Sequence, residues 1–222
     1  MTTAEDFLLL MTDPHTGKAT IGSTETDPVF GGAFLFDLVA AGRLALEGTG
    51  RKARVVVALD APLDDPVLQA AFERVRARGR QTPQGAVTKL GKKGRARTYE
   101  TLTAKGVVRP REEKVMGLFP VTRHDVVDTA GRDHLVQQIQ ACLLHHQPAD
   151  ARTGPLIGLL SAADLTKQLV DKPDRQRAKA RAKEISQGDW ASEGVRKAIQ
   201  AAQSAMTTAI IAASVAGTAS SS

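Results

Sequence analysis

A single cysteine, one tryptophan and one tyrosine are all that this chain of 222 residues holds of those types. The lone Cys142 excludes an internal disulfide framework and fits a reducing compartment. Aromatic residues make up 4% of the chain against 42% hydrophobic residues. The core is therefore expected to be built from Leu, Val, Ile and Ala, small side chains that helices pack closely. The length supports one sizeable core, and the expectation is a single domain over 1–222 with a frayed tail at 218–222. The most apolar long stretch, Ala205 to Gly217, falls short of the ~20 residues a spanning helix requires, and Thr207, Thr208 and Ser214 interrupt it. Glu5 and Asp6 stand where a signal peptide would carry basic residues, so no export signal is expected and a cytoplasmic location is. Neither a phosphate-binding loop nor a dinucleotide fingerprint is present, and no cofactor is expected.

Catalytic and metal-ligating patterns are sparse as well. Cys142, His145 and His146 lie one helical turn apart and would offer a thiolate and an imidazole, or two metal ligands. A structural zinc site needs four ligands, and no second Cys/His pair stands at a matching spacing, so Cys142 reads as a buried cysteine at the end of a core stripe. His15, His124 and His134 are scattered among turns and helix starts. Asp37, the only polar residue between Ala33 and Ala41, reads as a buried hydrogen-bonding group. Neither an enzyme nor a metal site is expected.

What the chain does contain is a repeated local pattern. Gly31 to Ala41 reads as a helix apolar nearly all round, which belongs in a core. A glycine stop at Gly42 and a strand at Leu44–Glu47 follow it. Leu102 to Arg109 repeats the order of helix, glycine and strand around Gly106. Before the first unit, Asp6 to Met11 reads as a short helix opened by a good N-cap, and Lys18 to Pro28 as loop. Val55 to Val57 form a strand expected to pair with Leu44–Glu47. Pro66 to Arg78 is a helix with Leu68, Ala71, Phe72 and Val75 inside, Gln81 to Gly85 a linker, Ala86 to Leu90 a short helix, and Gly91-Lys92-Lys93-Gly94 a flexible basic loop before a helix to Lys105. Val107-Val108 and Lys114 to Thr122 are extended, with a turn near Arg111 to Glu113, and form a projecting hairpin with Leu118 and Phe119 on its far part. The last hundred residues read as helices, with stripes at Leu135, Ile139, Cys142 and Leu143, at Leu156 to Leu160, at Ala178, Ala182 and Ile185, and from Val195 to Ala213.

Charge is placed unevenly. Nine basic residues and no acidic one lie between Arg74 and Arg97, and six against one between Lys172 and Lys183, on a chain of net charge +6. The remainder is net negative, so one face is expected to attract anions. An acidic membrane is one partner such a face fits. The other is a nucleic acid, for which Gly91-Lys92-Lys93-Gly94 has the GxxG form of a backbone clamp, although Tyr99 is the only aromatic residue near it.

Taken in order, Phe7 to Leu10 with Gly17, Leu38 to Leu44, Leu102 to Val107, Leu118 to Thr122, Leu135-Val136 and the closing helices resemble the Golgi phosphoprotein 3 family. The alanine- and arginine-rich composition looks like that of a high-GC, actinobacterial-like member. The resemblance implies a mainly α fold: a central helical bundle surrounded by amphipathic helices, with a few short strands and a projecting β-hairpin. It further implies a peripheral membrane protein that binds acidic phospholipids, phosphatidylinositol 4-phosphate in the eukaryotic members, and acts as an adaptor for a membrane-protein client. A homo-oligomer formed through Leu118 and Phe119 on the hairpin is the other implied partner. The family's lipid pocket uses a tryptophan and an arginine, which fall near Gly22 and Gly31 here, and two arginines three apart, which fall on Lys92 and Arg95. The first pair is lost. Weak head-group selectivity is therefore expected, with Lys92, Lys93, Arg95 and Arg97 as the anion-contacting residues.

Overall fold

In the computed structural model, the described residues are 1–115, 118–187 and 200–212. They form a mainly α-helical body carrying two separate antiparallel pairs of strands. In chain order the elements are α1 (Thr3–Leu10), α2 (Ser23–Ala40), β1 (Leu44–Glu47), β2 (Arg54–Val57), α3 (Pro66–Arg76), α4 (Pro83–Gly91) and α5 (Gly94–Ala104). The hairpin of β3 (Val108–Val115) and β4 (Phe119–Val126) follows, then α6 (Thr129–Leu144), α7 (Thr153–Ala162) and α8 (Arg175–Ser186), with one more helical segment at 200–212.

The all-round apolar helix is the axis. Val29, Phe30, Ala33, Phe34, Leu35, Phe36 and Leu38 of α2 are all buried, and the helix packs against α1, α3, α4, α5, α7 and β1. Each large side chain so buried contributes about 1.5–3 kcal/mol. Three of the four expected stripes are buried as read: Leu135, Ile139, Cys142 and Leu143 on α6, Leu156 to Leu160 on α7, and Ala178, Ala182 and Ile185 on α8. Of the fourth, Ala202 and Met206 are buried, whereas Val195, Ile199 and Ala213 lie outside the described residues, as does the tail at 218–222.

The two helix, glycine and strand units share one hydrogen-bonded stop. Gly42 and Gly106 have φ of 68° and 70°. Gly42 N–H donates to Val39 O and Arg43 N–H to Leu38 O. Gly106 N–H donates to Thr103 O and Val107 N–H to Leu102 O in the same pattern. These paired bonds satisfy the last carbonyls of α2 and α5 and turn the chain into a strand. Past Gly42, β1 pairs with β2 in the register Leu44↔Val57 to Glu47↔Arg54, as expected.

Four boundaries differ from the sequence reading, each for a physical reason. The cap of α1 is Thr2, in a reciprocal capping box with Glu5, so Asp6 lies inside the helix and not at its mouth. Helix α2 starts at Ser23 rather than after Pro28, because α4 packs along its first turns and holds the proline inside the helix. The segment read as a linker opens α4: Thr82 caps Gly85 N–H, and Pro83 takes the first position, where no N–H is needed. The expected hairpin turn at Arg111 to Glu113 is not one: these residues pair with Arg123 to Val121 inside the ladder.

The supposed flexible loop is a tight joint. Gly91 ends α4 and Gly94 begins α5, and both are buried. A Cβ on Gly91 would overlap the carbonyl of Asp27, and one on Gly31 the carbonyl of Val87, so α2 and α4 cross backbone to backbone. A Cβ on Gly94 would strike the Phe30 side chain, and one on Gly32 the Met206 side chain of segment 200–212. Neighbouring backbone cannot yield as a flexible side chain end can. Gly91→Ala is accordingly expected to cost about 3 kcal/mol, at the upper end for overpacking, read as a lowered urea midpoint with the slope unchanged.

Candidate functional site

The charge run sits at the α4–α5 joint. Lys92 closes α4, and Lys93 opens α5 with φ 59°, a left-handed conformation that a residue with a side chain adopts at a cost. Lys92, Lys93 and Arg95 are exposed, and none has an ion pair among the described residues. Arg97, expected to face a ligand, instead turns back to donate to the Lys92 carbonyl and ties the joint together. The structure therefore brings Lys92, Lys93 and Arg95 together as free cations, with Arg97 as their brace.

Neighbouring carboxylates are consumed by other arginines. Arg76 pairs with Asp60 at 3.2 Å and Glu73 at 2.6 Å, and Arg80 with Glu47. Arg78 lies between them without an ion pair among the described residues, and it lines an open cleft of about 520 Å³ with Lys89 and Lys92. Neither Arg78 nor Lys89 was singled out by the sequence reading. The available signal was the spacing of Lys89 and Lys92, three apart, which becomes one helix face only once α4 is known to run to Gly91.

Gly22 and Gly31, near which the resemblance puts a tryptophan and an arginine, have structural roles instead. Gly22 is the N-cap of α2 and Gly31 is the crossing point with α4, so no arginine side chain can leave position 31 without parting the helices.

Helix α5 connects the joint to the hairpin. Tyr99 is buried, its hydroxyl 2.9 Å from Thr12 Oγ1, and its ring stacks on His124 of β4 at 3.6 Å between centroids and 5° between planes. Burial, and then the Arg95 charge, lower the His124 pKa, so the imidazole stacks neutral at pH 7. The hairpin is rooted by Val108 and Val126, opposite each other and buried, and by His124 N–H donating to Gly17 O. It leaves the C-terminal end of α5 and reaches the level of Tyr99 at His124, so it runs back towards the joint. Leu118 is 77% and Phe119 63% exposed, so the tip does not fold back on the core.

Other candidate groups find structural partners. Cys142 is buried, its thiol 3.8 Å from the Pro148 carbonyl, and burial pushes its pKa up. His145 and His146 are exposed, and no group of three or more metal-ligating side chains gathers among the described residues. Asp37 caps α1 from across the helix pair, accepting from Thr3 N–H at 3.0 Å and Thr3 Oγ1 at 2.6 Å. Much of the α8 charge is neutralised at the surface by Asp164, Asp174 and Glu184.

The chain has a helical body with an exposed cationic joint and an exposed apolar hairpin tip; among the described residues no helix is long and apolar enough to cross a membrane. The chain matches the family described as Golgi phosphoprotein 3 (GPP34) over residues 4–202, and it belongs to that family. No curated protein matches it.

Two outcomes follow from these environments. Burial raises Asp37 from its ordinary 3.8 to about 6, so the folded chain holds this proton more tightly than the unfolded one. The contribution is complete below about pH 4 and is lost as pH rises through about 6. Urea titrations of Asp37→Asn and the parent chain should therefore diverge between those limits, the variant gaining up to about 3 kcal/mol relative to the parent and staying level above. At the joint, Lys93→Gly relieves the left-handed backbone and should raise stability by about 1 kcal/mol, seen as a higher melting temperature.

Proposed function

We propose that this chain is a peripheral membrane protein whose basic joint binds acidic phospholipid head groups while the hairpin tip enters the interface, and that it serves there as an adaptor for a membrane-protein client. The observation that carries the reading is the group of exposed cations without ion pairs among the described residues, Lys92, Lys93 and Arg95, on a body that also carries an exposed apolar hairpin tip at Leu118 and Phe119. Each basic residue close to an anionic leaflet contributes on the order of 1 kcal/mol, and an apolar tip adds area that charge alone does not bury. Family membership supports a membrane setting. Selectivity for one head group is expected to be weak, because Lys92 offers a point charge instead of an arginine fork and positions 22 and 31 offer no donor.

The nucleic-acid alternative loses its main support. Gly91 and Gly94 are buried against α2 and are not free to approach a phosphate backbone, while the Tyr99 ring already stacks on His124.

Liposome flotation tests the proposal. At low salt the chain should float with vesicles containing phosphatidylglycerol and remain behind with pure phosphatidylcholine, and the difference should shrink as salt rises. Lys92→Gln with Arg95→Gln should weaken binding about tenfold or more. Leu118→Asp with Phe119→Asp should abolish flotation while leaving a folded, soluble chain. Absence of flotation on phosphatidylglycerol, cardiolipin and phosphoinositide vesicles alike would end this reading.

A further inference from the structure

Arg132, Val136 and Gln140 stand one turn apart on one face of α6 and meet the segment 168–171 across a cleft of about 310 Å³. The cleft shares no residue with the basic joint. Val136, with the buried Leu169 and Val170, forms its apolar part. Two side chains of opposite charge also line it, Arg132 and Asp171, and they form no ion pair with each other.

Neither charge is well used within the fold. The Arg132 side chain is 15% exposed, and its Nε is buried without a partner. Its terminal nitrogens reach only the Leu10 carbonyl at 3.4 Å and the largely exposed Asp133 at 3.6 Å. Arg43, Arg97 and Arg181 also bury an unpartnered Nε, but each donates a short bond from a terminal nitrogen. Arg132 is thus an under-bonded, mostly buried guanidinium, which is costly to leave so. Asp171 stands at the N-cap of the one-turn helix Lys172–Asp174, where an aspartate ordinarily accepts from the first backbone N–H groups. It makes no such bond, and its exposed carboxylate has no other partner among the described residues. Gln140 Nε2 donates to the Leu169 carbonyl at 2.7 Å, which orients the amide and leaves Oε1 as a spare acceptor.

We propose that this cleft binds a small zwitterion, with its anionic group on Arg132, its ammonium on Asp171 and Gln140 Oε1, and any aliphatic part against Val136, Leu169 and Val170. A ligand of one charge would answer one wall and leave the other bare, whereas a zwitterion supplies a charge-assisted bond to each. The planar guanidinium suits a carboxylate or phosphate, and a compact ammonium suits the two oxygen acceptors. A volume of about 310 Å³ is near the lower end for small-molecule sites and fits a ligand of this size. A free α-amino acid with an aliphatic side chain carries this chemistry, and so does the ethanolamine head group of a phospholipid. The inference uses none of the residues assigned to acidic-lipid binding.

Calorimetric titration with L-leucine, 3-methylbutylamine and 4-methylpentanoate presents one aliphatic body with both charges, with the ammonium alone and with the carboxylate alone. The parent chain should bind leucine about tenfold or more tightly than either analogue. Asp171→Asn should weaken leucine about tenfold and leave 4-methylpentanoate unchanged, while Arg132→Gln should weaken leucine and leave 3-methylbutylamine unchanged. A purely structural effect would weaken all three ligands together. Should Arg132→Gln fail to fold in a melting scan, Asp171→Asn at its exposed position decides alone. Flotation on phosphatidylglycerol vesicles mixed with phosphatidylethanolamine or with phosphatidylcholine separates the two sources. Saturable leucine heat assigns the site to a free amino acid; no leucine heat, with a preference for the ethanolamine vesicles that Asp171→Asn removes, assigns it to the lipid head group. Neither leucine heat nor an ethanolamine preference, leucine bound no better than both analogues, or a leucine affinity unchanged in Asp171→Asn overturns the proposal. Loss of all vesicle binding with leucine heat intact would remove the membrane reading and leave this cleft.

Discussion

The crossing of α2 and α4 is the contact on which the remaining arrangement depends. Gly31 and Gly91 face each other with no room for a Cβ on either side, so the two backbones approach more closely than side chains would allow. Close approach of this kind is useful only if many atoms gain contact at once. Here it lets Phe30 seat against Gly94 and aligns the start of α5 with α2, while Gly32 on the next position of α2 receives Met206. One short glycine pair on α2 thus docks elements on two sides. The cost of so much glycine in helices, up to about 1 kcal/mol at each position, is offset by the packing that follows.

Buried carboxylates then fix α1 to this frame. Asp6 is 1% exposed and accepts two bonds from Arg152, at 2.7 and 2.8 Å, while Glu5, 2% exposed, meets Lys105 at 2.6 Å and closes the capping box. Breaking such pairs one partner at a time leaves a charge without compensation, which is more damaging than the pair is stabilising. They therefore act chiefly to specify where α1 lies, between α5 and the start of α7. Asp37 adds a third peg at the opening of the same helix. The Thr12–Tyr99 contact and the Tyr99–His124 stack carry that order onward to the hairpin root.

Periodicity made most of the body legible: the all-round apolar α2, the stripes of α6, α7 and α8, the β1–β2 pair and both glycine stops can be read from spacing alone. Pro28 and Pro83 misled the reading in opposite ways. Pro28 lies inside a helix because tertiary packing along α2 outweighs the lost hydrogen bond, whereas Pro83 begins one. The hairpin turn was misplaced because Arg111, Glu112 and Glu113 look like surface turn residues, yet they are strand residues, with Arg111 and Glu113 paired across the ladder to Asp125 and Arg123. The candidate site was legible as a charge run but not as a geometry. Which cations stay free depends on where Glu47, Asp60 and Glu73 fall in space, and no local pattern reports that.

Gly91-Lys92-Lys93-Gly94 joins these themes. As a string it suggests a mobile loop offering its backbone to a ligand, but its glycines are committed to α2, which leaves two residues to connect two helices. So short a link forces Lys93 into the left-handed region and turns both lysine side chains outward, away from the crossing. The cationic character of the joint and its rigidity then have one origin. A rigid cluster of unpaired charges costs stability through mutual repulsion, and that cost falls when an anion arrives. Position 31 shows the other side of the same constraint: with a glycine required at the crossing, a side-chain donor there is sterically excluded, whereas Lys92 and Lys93, in the link between the helices, keep their side chains exposed without disturbing the crossing.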